Sequence, residues 1–549
     1  MSAHHTLDNP IAQLMRRNKV LLKLIAKDAP MFLSALGYFA PAHRHSIPAA
    51  PSQPACSPYD PPKDLKPGVY NFKMHRLHTD GDIKISREIT WDPTSPDGPK
   101  IQNNRIVVET GDSADEVHVR KRSEGQIQIL VNGKSYLFDA KVEKGPPQGL
   151  WIKTNAGNDK VTIDDDLKLR VDVDAGDGDD RIQAGGGRSR LYGGKGNDVL
   201  RLGSGLGYAE GNEGNDLLIG GSGNAVMYGN DGNDRLFAGA GTAAKQSYLD
   251  GGNGNDQLYA GNGHTVLHGG NDDDQLVGHD RTTFYTGKGK DRVWRNKASD
   301  LVYAKPSDRF NRHQGSMFTP VAPSNAGKQG FEVKGDDAFK QRVEDDFEFM
   351  RSSPNGQKVL AEMDTLAGIN GGKVTIAPIS FGGTNYEFDS QELDDLNNKD
   401  ESQIDASKYG EIKDGVAGSR ANRATIYFDS PWIIEEQNGN TIVPVTSLYH
   451  EIVHAWNGAT GTFLGGTSAD DDASVKAEAS DEERATANFE YQAIGVPNSG
   501  EPFDLDNDPS TVPTTTNPKP FTENALNEEM GKPPRKRHAL HLSRQGGGL

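Results

Sequence analysis

The sequence predicts a multidomain protein: an all-β parallel β-roll or β-helix built of repeats, followed by an α+β domain. Three observations carry this expectation. A glycine- and aspartate-rich motif recurs about every eighteen residues through the middle of the chain. After Trp294 that recurrence stops, and helical and strand periodicities replace it. The length, 549 residues, exceeds what a single core holds at roughly 100 to 200 residues per domain.

Composition agrees with a long repeat segment. Only 34% of residues are apolar, whereas glycines number 64 and acidic residues 78. The net charge of −18 argues against nucleic acid as a partner, because phosphate backbones are bound through clustered Lys and Arg. The one basic cluster, Lys532 to Arg537, is short and reads as a solvated tail. A single cysteine, Cys56, excludes an intrachain disulfide framework and a Cys-rich zinc knuckle.

From the N-terminus, residues 1–68 read as a disordered or targeting segment. Val20 to Phe39 is moderately apolar but interrupted by Lys23, Lys27 and Asp28, so no membrane span is expected. Residues 69–150 read as a β-rich cap. Within it, Gly125 to Phe138 alternates like a hairpin with Asn132-Gly133 at its turn. Gly111-Asp112-Ser113-Ala114-Asp115 is a degenerate copy of the repeat.

Residues 151–300 form the repeat. The pairs Asn158-Asp159, Asp179-Asp180, Asn197-Asp198, Asn215-Asp216, Asn233-Asp234, Asn255-Asp256, Asp273-Asp274 and Lys290-Asp291 recur at intervals of 21, 18, 18, 18, 22, 18 and 17 residues. Short alternating apolar stretches such as Val199-Leu200-Arg201-Leu202 follow each pair, as strands with one face inward require. Eighteen residues then make one coil of turn, strand, turn, strand. Segments such as Gly193-Gly194-Lys195-Gly196-Asn197-Asp198-Val199-Leu200 resemble the calcium-binding nonapeptide repeats of RTX proteins. Asp180, Asp198, Asp216, Asp234, Asp256 and Asp274 are the candidate Ca²⁺ ligands, since calcium is a hard cation that takes oxygen donors. The alternate turns, such as Gly203-Ser204-Gly205-Leu206-Gly207, keep the glycines but lack the aspartate. Two readings stay open: calcium along one edge, or an Asn/Asp ladder that caps turns with no ion.

Residues 301–335 read as a linker, Pro/Ser/Gly/Asn-rich between Pro306 and Gln329. The α+β domain follows over 336–538, and residues 539–549 as a flexible tail. Phe339, Val343, Phe347 and Met350 fall at helical spacing, and Val359, Leu360 and Met363 continue it. Lys373 to Ser380 and Ala424 to Phe428 read as strands.

Within this domain lies His450-Glu451-Ile452-Val453-His454, in a segment opened by Pro444 and closed near Gly458. On a helix, the i, i+4 spacing puts both imidazoles on one face, where they can grip one Zn²⁺. Glu451 is placed to act as general base on metal-bound water and to return the proton to the leaving amine. A third histidine of the metzincin type is missing, because residue 460 is Thr and the next His is His538. A later Glu is expected instead, from Glu478, Glu482, Glu483 or Glu490. Glu490 lines up with Ala487, Ala493 and Ile494 on a helix stopped by Gly495 and Pro497, whereas Glu482 and Glu483 sit in an acidic run that reads as a solvated loop. Tyr449 and Tyr491 lie near these ligands in sequence, but neither is assigned as a transition-state donor.

The stretch 450–461, the block Glu490-Tyr491-Gln492-Ala493-Ile494-Gly495-Val496-Pro497, Thr522-Glu523-Asn524-Ala525-Leu526, and Gly531-Lys532-Pro533-Pro534-Arg535 together resemble the type III effector zinc metallopeptidases of the NleD and HopH kind. The resemblance spans roughly residues 336 to 538. It implies a gluzincin-type, zincin-like endopeptidase with one Zn²⁺ per chain, secreted by bacteria and delivered into host cells, with proteins or peptides as substrates. In the family pattern Glu490 matches the acidic residue before the Ala-Ile/Val-Gly block. Compact effectors of this kind lack a glycine-rich roll, so the route and host target do not carry over. The rival reading is a calcium-binding repeat adhesin or surface protein whose zincin-like domain is inactive. A third is a self-processing toxin that cuts its own 306–329 linker.

Overall fold

The computed structural model describes residues 57–66, 70–94, 98–122, 125–142, 144–312, 315–379, 383–394, 396, 404–436, 439–469 and 485–538. Their architecture is a β-solenoid with an α+β domain packed along one face. Among them no helix is long and apolar enough to cross a membrane. The expected N-terminal segment falls almost entirely outside these residues, as do the tail and Glu478, Glu482 and Glu483.

Two parallel sheets wrap the solenoid. In the larger, strands such as Ser189–Lys195, Gly207–Glu213 and Ala225–Asp231 pair in a register equal to the repeat, with Leu191 beside Ala209 and Ala209 beside Met227. In the smaller, three-residue strands set Ile182, Leu200, Leu218, Leu236, Leu258 and Leu276 in one column. Both columns point inward and are buried, so each coil buries little alone and relies on its neighbours for a continuous core. The turns force glycine where coils touch. Gly214 has φ +141°, and a Cβ there would meet the carbonyl oxygen of Gly196 at 1.7 Å.

Upstream of the coils, antiparallel strands Asn71–Asp80, Ile83–Asp92 and Lys100–Glu109 extend the larger sheet, and Gln126–Val131 and Lys134–Asp139 extend the smaller. Asn132 and Gly133 form the hairpin turn, both at positive φ. The segment read as a linker is instead built into the fold. Leu301–Ala304 and Met317–Pro320 pair in parallel as the last strands of the larger sheet, and Phe331–Val333 joins the sheet of the next domain. Between them, the Asp364 carboxylate accepts N–H bonds from Gly327, Gln329 and Gly330. The Pro/Ser/Gly composition reflects turns between short strands rather than a tether.

The α+β domain has a four-stranded sheet ordered Phe331–Val333, Val374–Pro378, Thr425–Phe428 and Asn385–Glu387, the last an antiparallel edge. Its helices of seven residues or more, among the described residues, are α1 (Asp337–Ser352), α2 (Pro354–Asn370), α3 (Pro444–Thr460), α4 (Asn488–Ile494) and α5 (Glu523–Glu529). Helix α1 has two faces. Phe339, Val343 and Phe347 belong to the domain's own core. Arg342, Asp345, Asp346 and Phe349 meet the outer face of the solenoid, where the Arg342 guanidinium lies 3.4 Å from the centre of the Tyr228 ring and 2.7 Å from Asp346. Phe349 packs on Tyr248 and Tyr285. Solenoid and domain therefore share one apolar core, which fixes the C-terminal domain against the repeat.

Candidate metal centre

Helix α3 starts at Pro444, with its fixed φ, and ends at Gly461 in the left-handed conformation. It is buried almost throughout. Leu448, Ile452 and Ala455 face the core, and the Tyr449 hydroxyl donates to the Pro520 carbonyl at 2.7 Å, away from the imidazoles. The i, i+4 spacing therefore aims His450 and His454 the same way, with their Nε2 atoms 3.0 Å apart.

Helix α4 brings Glu490 onto them. The Gln492 side chain accepts from the Leu464 backbone N–H and donates to the Thr462 carbonyl, which locks α4 against the loop after α3. The Glu490 Oε2 then lies 3.2 Å from each Nε2. These three ligand atoms could hold a metal ion. Two imidazole nitrogens and a carboxylate oxygen separated by 3.0 to 3.2 Å nearly match the edge of about 3.3 Å in a tetrahedron with metal–ligand bonds of about 2.05 Å. The donor set therefore fits zinc.

Charges around the cluster are arranged for the same end. Burial alone would raise Glu490, but His538 and His454 outweigh it and hold the carboxyl well below its ordinary range. Glu451 goes the other way: burial raises it, against the opposing pull of His454 and His450. Glu451 faces the same cleft as the three candidate ligands and makes no hydrogen bond to the described residues.

Three further residues complete the site, and sequence reasoning gave none of them a role. The Glu523 Oε2 lies 3.0 Å from His450 Nδ1 and 2.8 Å from Arg535 Nη1. Burial would raise Glu523, but Arg535 and His450 hold it at about 2, a carboxylate. A carboxylate on Nδ1 fixes the tautomer that leaves Nε2 free for metal. Glu523 and Arg535 stood inside two of the blocks that carried the resemblance, which was their only signal. His538 places Nε2 3.1 Å from Glu490 Oε2; nothing in its sequence context marked it. Glu523→Gln is expected to weaken metal affinity about 10- to 100-fold without unfolding the chain, measured by competition with a chromophoric chelator. Unchanged affinity would remove Glu523 from the site.

The solenoid carries a second row of candidate ligands. Each aspartate accepts, through Oδ1, the backbone N–H of its counterpart one coil earlier, as in Asp180 to Asp198 at 2.8 Å and Asp198 to Asp216 at 2.7 Å. Oδ2 of Asp180, Asp198, Asp216, Asp234, Asp256 and Asp274 is buried with no hydrogen-bond partner. Asp198 Oδ2 faces Gly193 and lies near the Gly211 carbonyl. Burial pushes these carboxyls up, to about 7 for Asp180, Asp198 and Asp216 and about 8 for Asp234 and Asp256. At the C-terminal end, Lys305 Nζ sits 2.8 Å from Asp291 and 3.1 Å from Asp308. The outer ladder of Asn197, Asn215, Asn233 and Asn255 is satisfied internally. The row thus combines the two readings: a capping ladder through Oδ1, with a second oxygen per coil left for a cation.

Residues 327–538 match the Peptidase_M91 family, described as "Effector protein". Residues 174–207, 210–242 and 250–280 match the RTX calcium-binding nonapeptide repeat. No curated protein matches the chain. The C-terminal domain is thus similar to the Peptidase_M91 effector proteins, and the solenoid it packs against is similar to RTX calcium-binding repeats.

Proposed function

We propose that this protein is a secreted bacterial effector or toxin whose C-terminal domain is a zinc-dependent endopeptidase acting on host protein. The observation that carries this is the convergence of His450 Nε2, His454 Nε2 and Glu490 Oε2 beside the buried carboxyl of Glu451. His450, His454 and Glu490 hold the zinc. When bound, zinc supplies a Lewis acid that polarises the scissile carbonyl and acidifies the attacking water. Glu451 takes the proton of that water and hands it to the leaving amine. Glu523 and Arg535 hold His450 in the metal-binding tautomer. The edge strand Asn385–Glu387 borders the same cleft and places the Tyr386 ring 6.5 Å from that of His454.

The experiment is cleavage of an unfolded protein such as casein by the purified, zinc-loaded chain. Cleavage should stop with 1,10-phenanthroline and return on adding zinc. Cleavage indifferent to the chelator would remove zinc from the mechanism, whereas no cleavage with no zinc on elemental analysis would favour the adhesin reading, in which only the repeat row binds metal.

A further inference from the structure

One continuous sheet face does two jobs. Toward its C-terminal coils, Tyr208, Tyr228 and Tyr248 are buried under α1 and the domain core. Toward its N-terminal coils the same face is uncovered and lines a cleft of about 2210 Å³ that also contains His450, Glu451, His454 and Glu490. The register is continuous across the change: Trp151 pairs with Asp172, Asp172 with Arg190, and Arg190 with Tyr208. The repeat therefore supplies the wall opposite the metal centre.

That wall gathers guanidinium groups. Arg105 stacks on Trp151 at 3.9 Å and pairs with Glu88, so it is already occupied. Arg170, Arg188 and Arg190 are only partly engaged. Arg170 reaches Asp172 at 3.3 Å, and Arg188 donates to the Ile433 carbonyl. Arg190 makes no hydrogen bond to the described residues and stands over the Trp432 ring, as Arg188 does. Each guanidinium offers five N–H donors in a planar fork, and the described residues take up by hydrogen bond one from Arg170, one from Arg188 and none from the Arg190 side chain. Burial pushes Arg188 down to about 10, and repulsion from Arg190 and Arg170 adds to that against the weaker pull of Glu435 and Asp172. Burial raises Asp429 in spite of the three arginines; burial would lower Arg190, but Asp172, Tyr192 and Asp429 raise it.

We propose that Arg170, Arg188 and Arg190 form a substrate-recognition subsite, built by the solenoid, that binds an acidic side chain of the polypeptide held in the cleft. This rests on the peptidase reading and names the substrate class for it. The repeat domain then has a part in specificity beyond support or delivery, and a C-terminal domain cut away from it would lose one wall of its cleft. Trp432, from the C-terminal domain, presents its ring to the guanidinium groups of Arg188 and Arg190 at 5.4 and 5.9 Å.

The test uses the full zinc-loaded chain and internally quenched decapeptides in which each position in turn carries Glu, Gln or Lys. At one or two positions, Glu should be preferred over Gln by about tenfold in kcat/KM, the size expected for a charge-assisted hydrogen bond, and the difference should lie in KM. The Arg170→Gln/Arg190→Gln chain, checked for an unaltered melting temperature, should lose the preference. Arg292→Gln, on the opposite sheet, should keep it. Binding of the Glu peptide to an inactive Glu451→Gln chain, followed by fluorescence anisotropy, should weaken with salt and with the same double substitution. Peptides cleaved without regard to charge, or a Glu preference that survives the double substitution, would overturn the subsite alone. If no peptide of any charge is cleaved, the peptidase reading fails and the subsite falls with it.

Discussion

A Glu451→Gln chain is expected to fold, to keep its metal, and to cleave peptides about 10²- to 10⁴-fold more slowly than wild type, the usual contribution of a positioned general base. The substitution keeps shape and volume at a side chain that is only 8% exposed. It orphans no partner, because Glu451 makes no hydrogen bond to the described residues. It removes only the capacity to hold a proton. The neutral amide cannot take one from water, while His450, His454 and Glu490 keep their mutual distances because none of them contacts Glu451 through a hydrogen bond. The loss should appear in kcat with little change in KM, since the step affected follows binding. Elemental analysis of both chains, paired with cleavage rates, separates the outcomes. Wild-type rates in the variant would remove Glu451 from the mechanism. A variant that loses its metal would make it a structural residue instead.

Millimolar calcium is expected to raise the melting temperature by about 10 °C or more at pH 7.5, and by much less at pH 5. Binding at 100 times the dissociation constant contributes about 2.7 kcal/mol per site, and about 1 kcal/mol moves a domain of 150 to 250 residues by roughly 2 to 4 °C. A few such sites suffice. The pH dependence follows from the aspartate row. In the folded chain without ion, burial lifts these carboxyls to about 7 or 8, against about 3.9 when unfolded. Over the interval between, the folded state holds protons that the unfolded state has released. Stability from the row is therefore complete below about pH 4 and is lost as pH rises through about 8. Calcium takes the place of those protons, so it stabilises most where they are gone. Calorimetry with and without chelator at the two pH values is the check. Equal melting temperatures with and without calcium at pH 7.5 would leave the row as a capping ladder alone.

The sequence made the periodic parts of this molecule legible. A repeat near eighteen residues sets the sheet register directly, because stacked coils must place like residues side by side, as with Leu191, Ala209 and Met227. The His450/His454 spacing fixes a shared helix face for the same local reason. Glu490 was reachable because α4 is short and carries one acidic group on an otherwise apolar side. What stayed hidden was set by contacts between distant segments. Glu523 reaches His450 from 73 positions further along and Arg535 pairs with Glu523 from 85 positions beyond His450, and no spacing rule connects them. The buried face of α1 reads as charged through Arg342, Asp345 and Asp346, and only the tyrosine and acidic rows of the solenoid explain it. In the 301–335 segment, strands of three or four residues between turn residues are too short to announce themselves in composition.

The measurement that bears most directly on the metal centre is crystal diffraction from the zinc-loaded chain across the zinc absorption edge. One anomalous peak is expected within about 2.0 to 2.2 Å of His450 Nε2, His454 Nε2 and Glu490 Oε2, with Glu523 on the far nitrogen of His450. A peak ligated by Glu483 in place of Glu490, or no zinc peak at this helix, would contradict it.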